Sequence, residues 1–243
     1  MFRNTDATLD PKNRPEGRWV PPEELLGPLN ELELKFAPRK LFVSREVTFP
    51  LSHPRVAIVG TREPSNEGRR AASEIAGFLA RNGVTVVSGL ARGIDTIAHR
   101  AAIEAGGFTV AVLGTPLSRS YPRENAQLQS TIMRRYLAIS QFAEGHPVSP
   151  SNFILRNRTM ALVADASVIV ESGEGGGSLH QGWEALRLGR PLFIHGREFA
   201  KSGLAWPKKM ANYGAVEFSD PSAILEAIPS ASLDLAVAAF TSA

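Results

Sequence analysis

The chain has no cysteine among its 243 residues. That absence excludes a disulfide scaffold, a cysteine-ligated zinc site, an iron–sulfur cluster and a thiol nucleophile. Histidine is scarce as well. The five present are scattered, with no pair at HxxxH spacing, so no histidine metal centre is expected. No cofactor is expected either. No apolar run approaches the roughly 18 residues needed to span a bilayer, and no membrane partner is expected. The first residues, MFRNTDATLDPKNRPEGRW, lack the apolar core of a secretory signal, and the expected location is the cytoplasm. Charge of one sign is also lacking: 27 basic residues face 24 acidic ones, a net +3. An excess this weak permits nucleic acid as a partner without demanding it.

The 43% apolar and 21% charged content is that of a soluble globular protein. A chain of this length buries roughly 70–75% of its unfolded surface and needs no covalent staples. The charge is unevenly spread. Between Thr115 and Met160 lie Arg119, Arg123, Arg134, Arg135, Arg156 and Arg158, against only Glu124 and Glu144. A solvated basic face and an anion-binding face both fit that imbalance.

Residues 1–20 are polar and proline-bearing and read as a loosely docked arm. Residues 21–54 offer a helix at 23–33 and a strand near 40–43. From Arg55 the pattern changes to alternation. VAIVG (56–60), VTVVSG (84–89), FTVAVLG (108–114), a short run at 137–140, SVIVES (167–172) and PLFIH (191–195) read as strands. Helices are expected at 66–83, 94–107, 123–135, 154–164, 178–188 and 221–227, with a loop at 141–153. Continuous apolar strands alternating with helices predict an α/β fold. It is a Rossmann-like, doubly wound, mostly parallel sheet with helices on both faces. We set its bounds at 51–229, with an N-terminal arm and short extension at 1–50 and a tail at 230–243. Ligands of such sheets bind beyond the carboxyl ends of the strands. Gly60, Gly89, Gly93, Gly114 and the run Gly173–Gly177 all fall there.

Four of these turns carry candidate chemistry. Gly60-Thr61-Arg62 follows the first strand. It offers backbone amides, a hydroxyl and a guanidinium fork, although GxGxxG is missing. Ser88 and Gly89 open the second turn, where Asp95 suits a loop-fixing role and His99 a packed or solvated one rather than that of a general base. Phe153 precedes Arg156-Asn157-Arg158 at the expected start of a helix. An aromatic ring with two arginines and an amide suits single-stranded nucleic acid, the ring taking a base and the guanidiniums phosphate. Gly177 and Ser178 lead from a glycine loop into a helix N-terminus, an anion cradle. An ordinary surface turn, an ion pair or a packed ring remains the alternative at each position.

Taken together, VAIVGTREPSNEGRRAA, VVSGLARGIDTIAHRAA, TVAVLGTPLSRSYPRENAQL, NFILRNRTMALVADASVIVES and GGGSL resemble the DprA/Smf DNA-processing family in order and spacing, from about Arg55 to Ala215. The resemblance implies a Rossmann-like, non-enzymatic protein that binds single-stranded DNA in a basic pocket. Such proteins form homodimers and help load a RecA-type recombinase onto single strands. Carried over by motif, the pocket would use Gly60, Thr61, Arg62, Ser88, Gly89, Phe153, Arg156, Asn157, Arg158, Gly177 and Ser178, with Phe153 the stacking ring. The departures mark a divergent member. Pro116 stands for a usual glycine and Gln141 for a glutamate. Ile154 stands for the proline of FPxRNR, and Gln181 for the threonine of SGSLxT. The stretch GLAWPKKMANYGA (203–215) is longer than usual, and no C-terminal winged helix is expected.

A second resemblance, to the LOG nucleotide phosphoribohydrolases, rests on RNRTMALVAD followed by the glycine loop. There Gln181 occupies the position of the catalytic carboxylate, and an amide is no general acid or base at neutral pH. The nearest substitute is Glu184. A nucleotide-sensing module using the same cradle is the third reading.

Overall fold

The apolar runs become the inner strands of one sheet, because a strand apolar along its whole length has to be covered on both faces. The computed structural model describes residues 18–228 and a two-residue strand at 7–8. In chain order the elements are β1 (Ala7–Thr8), β2 (Arg18–Val20), α1 (Pro22–Leu26), α2 (Glu31–Phe36), β3 (Leu41–Val43), β4 (Arg55–Val59), α3 (Asn66–Arg81), β5 (Thr85–Ser88) and α4 (Ile94–Glu104). Then follow β6 (Thr109–Leu113), β7 (Arg119–Ser120), a 3-10 turn at Arg123–Asn125, α5 (Ala126–Arg135), β8 (Leu137–Ser140), α6 (Pro150–Val163) and β9 (Ala166–Ile169). The last are α7 (Gly177–Arg187), β10 (Leu192–His195), α8 (Arg197–Ala200), α9 (Trp206–Ala211), β11 (Val216–Phe218) and α10 (Ser222–Ala227).

The nine-stranded sheet runs β11-β10-β9-β4-β5-β6-β8-β3-β2. Every neighbouring pair from β11 to β8 is parallel, and β3 and β2 add antiparallel pairs at one edge. The α/β, mostly parallel architecture expected from the alternation is the one observed. The chain lays β5, β6 and β8 on one side of β4, then returns to lay β9, β10 and β11 on the other. Strand order therefore reverses between β4 and β9, and the crevice beyond their carboxyl ends is the topological switch point.

The inner strands feed cores on both faces of the sheet. Ala57 and Val59 of β4 face the cluster holding Met160, Leu162 and Val163 of α6. Val56 and Ile58 face Ala72, Ile75 and Leu79 of α3 and Ala98 and Ala102 of α4. The buried stripe Ala71, Ala72, Ile75, Ala76 and Leu79 has the spacing of one helix face. Burying a side chain such as Ile75 or Leu79 stabilises by about 1.5–3 kcal/mol. Ser65 caps α3 by accepting from the Gly68 amide at 3.0 Å, and Asn82-Gly83 ends it.

The N-terminal segment departs from its reading. The helix expected at 23–33 is two helices, broken at Gly27-Pro28. The second starts at a capping box in which Asn30 and Glu33 exchange 2.9 Å hydrogen bonds. Arg18–Val20, read as part of a polar arm, is a strand paired with β3, and Val20 is fully buried. The line drawn at residue 50 thus divides segments that one sheet joins. α6 starts at Pro150 instead of 154, since proline is well tolerated at a first helical position. The tail at 230–243 lies outside the described residues, as does most of 1–17. Among the described residues no helix is long and apolar enough to cross a membrane.

Of the two places open to His99, packed or solvated, the structure has it packed on α4. Its Nδ1 donates to the Thr109 hydroxyl at 2.7 Å, because that hydroxyl itself donates to the Val86 carbonyl at 2.8 Å. Nε2 is buried with no hydrogen-bond partner. Burial, then the nearby Arg156 charge, push the imidazole from its ordinary 6.5 down to about 3. Between those values the unfolded chain holds a proton that the folded chain refuses. The stabilising contribution of neutral His99 is therefore complete above pH 6.5 and is lost as pH falls toward 3. In urea titrations His99→Asn, which keeps a donor for Thr109, should flatten the acid limb by about 1.4 kcal/mol per pH unit. Identical pH profiles for the two proteins would refute this.

Candidate functional site

The loops after β4, β5 and β9 and the N-terminal half of α6 enclose an open cavity of about 540 Å³ at the switch point. Gly60, Thr61, Arg62, Phe153, Arg156, Asn157, Gly177 and Ser178 all line it. Close approach of the loops explains Gly60. A Cβ there would lie 2.5 Å from Ile94 Cγ1 and 2.8 Å from the Glu171 carbonyl. That carbonyl accepts the Thr61 amide at 2.7 Å, tying the β4 loop to the β9 loop. The Ser172 amide donates to buried Glu198 at 2.8 Å, and the Ser178 hydroxyl donates to Ser172 Oγ at 2.8 Å. The Asn157 amide donates to the Gly177 carbonyl at 3.2 Å. These bonds hold the glycine loop against α6. The N-terminus of α7 has no side-chain cap and no acid in its first turn, so its amide pole is available to an anion.

The expected residues divide by exposure. Arg62 is exposed and lines both the main cavity and an adjacent recess. Ser88 does not line the cavity. It is fully buried, and its hydroxyl donates to the Ile58 carbonyl at 2.7 Å, closing β5 onto β4. Gly89 opens only onto the recess. A side chain there would occupy the place of the Arg156 guanidinium.

Arg156 is 7% exposed. Its Nη1 donates to the Gly89 carbonyl and, at 3.1 Å, to the Val112 carbonyl, while Nε donates to Asn157 Oδ1 at 3.0 Å. It ties the ends of β5 and β6 to α6 and leaves little of itself to a ligand. Burial pushes its pKa down, against the opposing pull of Asp95. Asp95 accepts the Gly89 and Ala91 amides at 3.2 and 3.3 Å, the loop-fixing role expected of it. Burial raises its pKa, against the pull of Arg156 and Arg62. The same turn holds Leu90 at φ 57°, the only non-glycine residue with positive φ among those described. Such strain persists where surrounding structure over-determines it. Here the Leu90 carbonyl accepts from buried Asn125 at 2.9 Å.

Arg158 points elsewhere. Its Nε meets Glu184 Oε1 at 3.1 Å, and Arg187 shares that carboxylate. The same pairing counts against the phosphoribohydrolase reading. Glu184, the acid that reading needs, is buried between two arginines and does not line the cavity. Gln181 lines it, but its amide bridges α6 and β9, donating to the Asn157 carbonyl at 2.7 Å and accepting from the Ser167 hydroxyl at 3.1 Å.

Glu63 and Asp95 line the cavity beside Arg62 and Arg156, so net charge alone does not select an anion there. The amide pole of α7 and the exposed guanidinium of Arg62 do. Sequence reasoning assigned no role to Tyr121 or Arg92, which line the recess with Arg62 and Phe153. Both lie inside quoted motifs, but only folding brings them to Phe153. Among the described residues no cluster of acids and histidines fits a metal ion.

Against known proteins, the family described as DNA recombination-mediator protein A matches residues 23–229. The chain belongs to that family. The match takes in α1 to β3, ahead of Arg55 where the motif resemblance starts. Protein Smf of Escherichia coli is 32% identical over 225 residues, covering 92% of this chain and 60% of its own length. The X-ray structure of DNA processing protein A from Streptococcus pneumoniae superposes with a TM-score of 0.73 at 27% identity, over 90% of this chain and 77% of that one. The Helicobacter pylori protein of the same name, whose structure was described for its unique single-stranded DNA binding mode, superposes at 0.72 with 23% identity, over 88% and 96%. That last likeness concerns the fold. The chain spans about three fifths of the length of three of the curated relatives it matches, 60%, 65% and 56%, and between 35% and 51% of four others.

Proposed function

We propose that this chain binds single-stranded DNA along the carboxyl edge of its sheet, in DNA processing and recombination, and that it does so without catalysing a reaction. One observation carries the reading. A single open cavity at the switch point gathers the amide pole of α7, the exposed guanidinium of Arg62 and the ring of Phe153. Amides and guanidinium suit the phosphates, and the ring suits an unpaired base. Membership of the DNA recombination-mediator family and the single-strand binding of the Helicobacter pylori relative support it. In this reading Arg156 and Ser88 build the floor, and Arg158 braces α6 on α7. The chain acts as a homodimer and hands its strand to a RecA-type recombinase.

The test is fluorescence anisotropy with labelled oligothymidylate, its duplex and thymidine monophosphate, each at 50 and 200 mM salt. For a single strand, log K falls with log salt by about 0.7 per phosphate neutralised. Three phosphates then predict roughly twentyfold weaker binding at the higher salt. Preference for duplex, salt-insensitive binding, or binding of the mononucleotide alone would overturn the proposal.

A further inference from the structure

The recess beside the main cavity is lined by Arg62, Gly89, Arg92, Tyr121, Phe153 and Arg156, among others. Tyr121 and Phe153 meet there with ring centroids 5.1 Å apart and planes tilted by 42°. Rings at that tilt form an open corner, whereas two rings satisfied by each other alone prefer an offset stack or an edge-to-face contact. The recess encloses only about 40 Å³. That is too little to swallow a planar heterocycle and enough to admit its edge while its face lies on a ring.

The corner is held in place from behind. Phe153 packs against Gly114, where a Cβ would fall 2.7 Å from the ring. Tyr121 follows β7 in a pinned loop. The Arg119 carbonyl accepts from the Thr115 hydroxyl at 2.8 Å and from the Gln129 amide at 3.3 Å, and the Leu117 carbonyl accepts from Gln129 at 3.0 Å. A platform fixed before its ligand arrives has little ordering entropy left to lose. Arg62, Ala91, Phe153 and Arg156 line both compartments, and of these four Arg62 carries the exposed charge. Arg92, on the outer rim, is engaged by Glu124 at 3.4 Å.

From this arrangement we infer that Tyr121 forms, with Phe153, a two-ring seat for one unpaired nucleobase. Arg62 holds the phosphate that links this base to the nucleotide in the main cavity. The inference rests on the single-strand reading above and adds to it a residue, a subsite and a path. The strand runs from the α7 N-terminus past Arg62 to the Tyr121 corner.

The experiment uses the full chain and an oligothymidylate carrying one 2-aminopurine, whose fluorescence is quenched by stacking. Tyr121→Leu keeps apolar bulk but removes the aromatic face, and Tyr121→Phe keeps the face. We expect Tyr121→Leu to weaken binding about tenfold, the order of one base–aromatic stack. It should also abolish quenching at one position along the strand and leave the salt slope unchanged, since no phosphate contact is lost. Tyr121→Phe should retain affinity and quenching. A thermal melt matched to wild type shows that Tyr121→Leu is folded, and if it is not, Tyr121→Phe and Tyr121→Trp with intact quenching are the required result. Wild-type binding with equal quenching in Tyr121→Leu overturns the inference alone. Absence of oligonucleotide binding by the wild type overturns the single-strand reading and the inference together.

Discussion

Arg156→Ala should lower the unfolding free energy by about 3–5 kcal/mol, the range for removing one partner from a buried charged group. The guanidinium sits between the Gly89 and Val112 carbonyls at the ends of neighbouring strands. Truncation leaves both buried acceptors without that donor, at roughly 1–3 kcal/mol for each group left unsatisfied. It also removes the positive neighbour that opposes the upward push of burial on Asp95. For a domain of this size each kcal/mol moves the melting temperature by about 2–4 °C, so a fall of about 10 °C is the central expectation. Arg156→Lys should recover only part of it, because an ammonium cannot present the same planar fork to two carbonyls and Asn157. Chemical denaturation of the three proteins checks this. A change within about 0.5 kcal/mol, as for an exposed residue, would show that Arg156 is not the brace described.

Arg62→Ala should behave in the opposite way. Its side chain is exposed, so stability should change by no more than about 0.5 kcal/mol. Affinity for a single strand should fall by about 1–3 kcal/mol, the range for a charge-assisted hydrogen bond. The slope of log K against log salt should become shallower by about 0.7, one phosphate's share. Arg158→Ala is the contrast. Its guanidinium is engaged by Glu184, and Arg187 still pairs with that carboxylate when Arg158 is gone. A smaller loss of affinity and an unchanged salt slope are expected. Anisotropy titrations at several salt concentrations separate the two arginines. Equal losses, or an unchanged slope for Arg62→Ala, would remove Arg62 from the phosphate path.

The contrast among the three arginines shows where sequence reasoning stops. Arg156-Asn157-Arg158 reads as one basic cluster, yet side chains two apart on a helix point about 200° around its axis. They cannot both face one ligand. Arg156 turns to the strand ends and Arg158 to α7. Period alone does not say which turns inward, because that depends on where α7 packs. Ser88 lies off the cavity for a related reason. It ends a strand buried on both faces, so its hydroxyl closes onto the Ile58 carbonyl. Gly60, Arg62 and Gly177 line the cavity as expected from their place in the chain, because a turn between a buried strand and a helix points outward, beyond the sheet edge.

Local pattern by itself determined the alternation of apolar strands and amphipathic helices, hence the parallel sheet, and the gathering of glycine turns at its carboxyl edge. Those are consequences of hydrophobic period and backbone freedom, which act within a few residues. The tertiary structure alone decided that the chain returns after β8 to lay β9 beside β4. That return brings the α7 N-terminus to Gly60, packs Arg158 against Glu184 and leaves Tyr121 against Phe153. Contacts between residues so far apart in the chain carry no local signature, since burial and packing select them only once the whole sheet has formed.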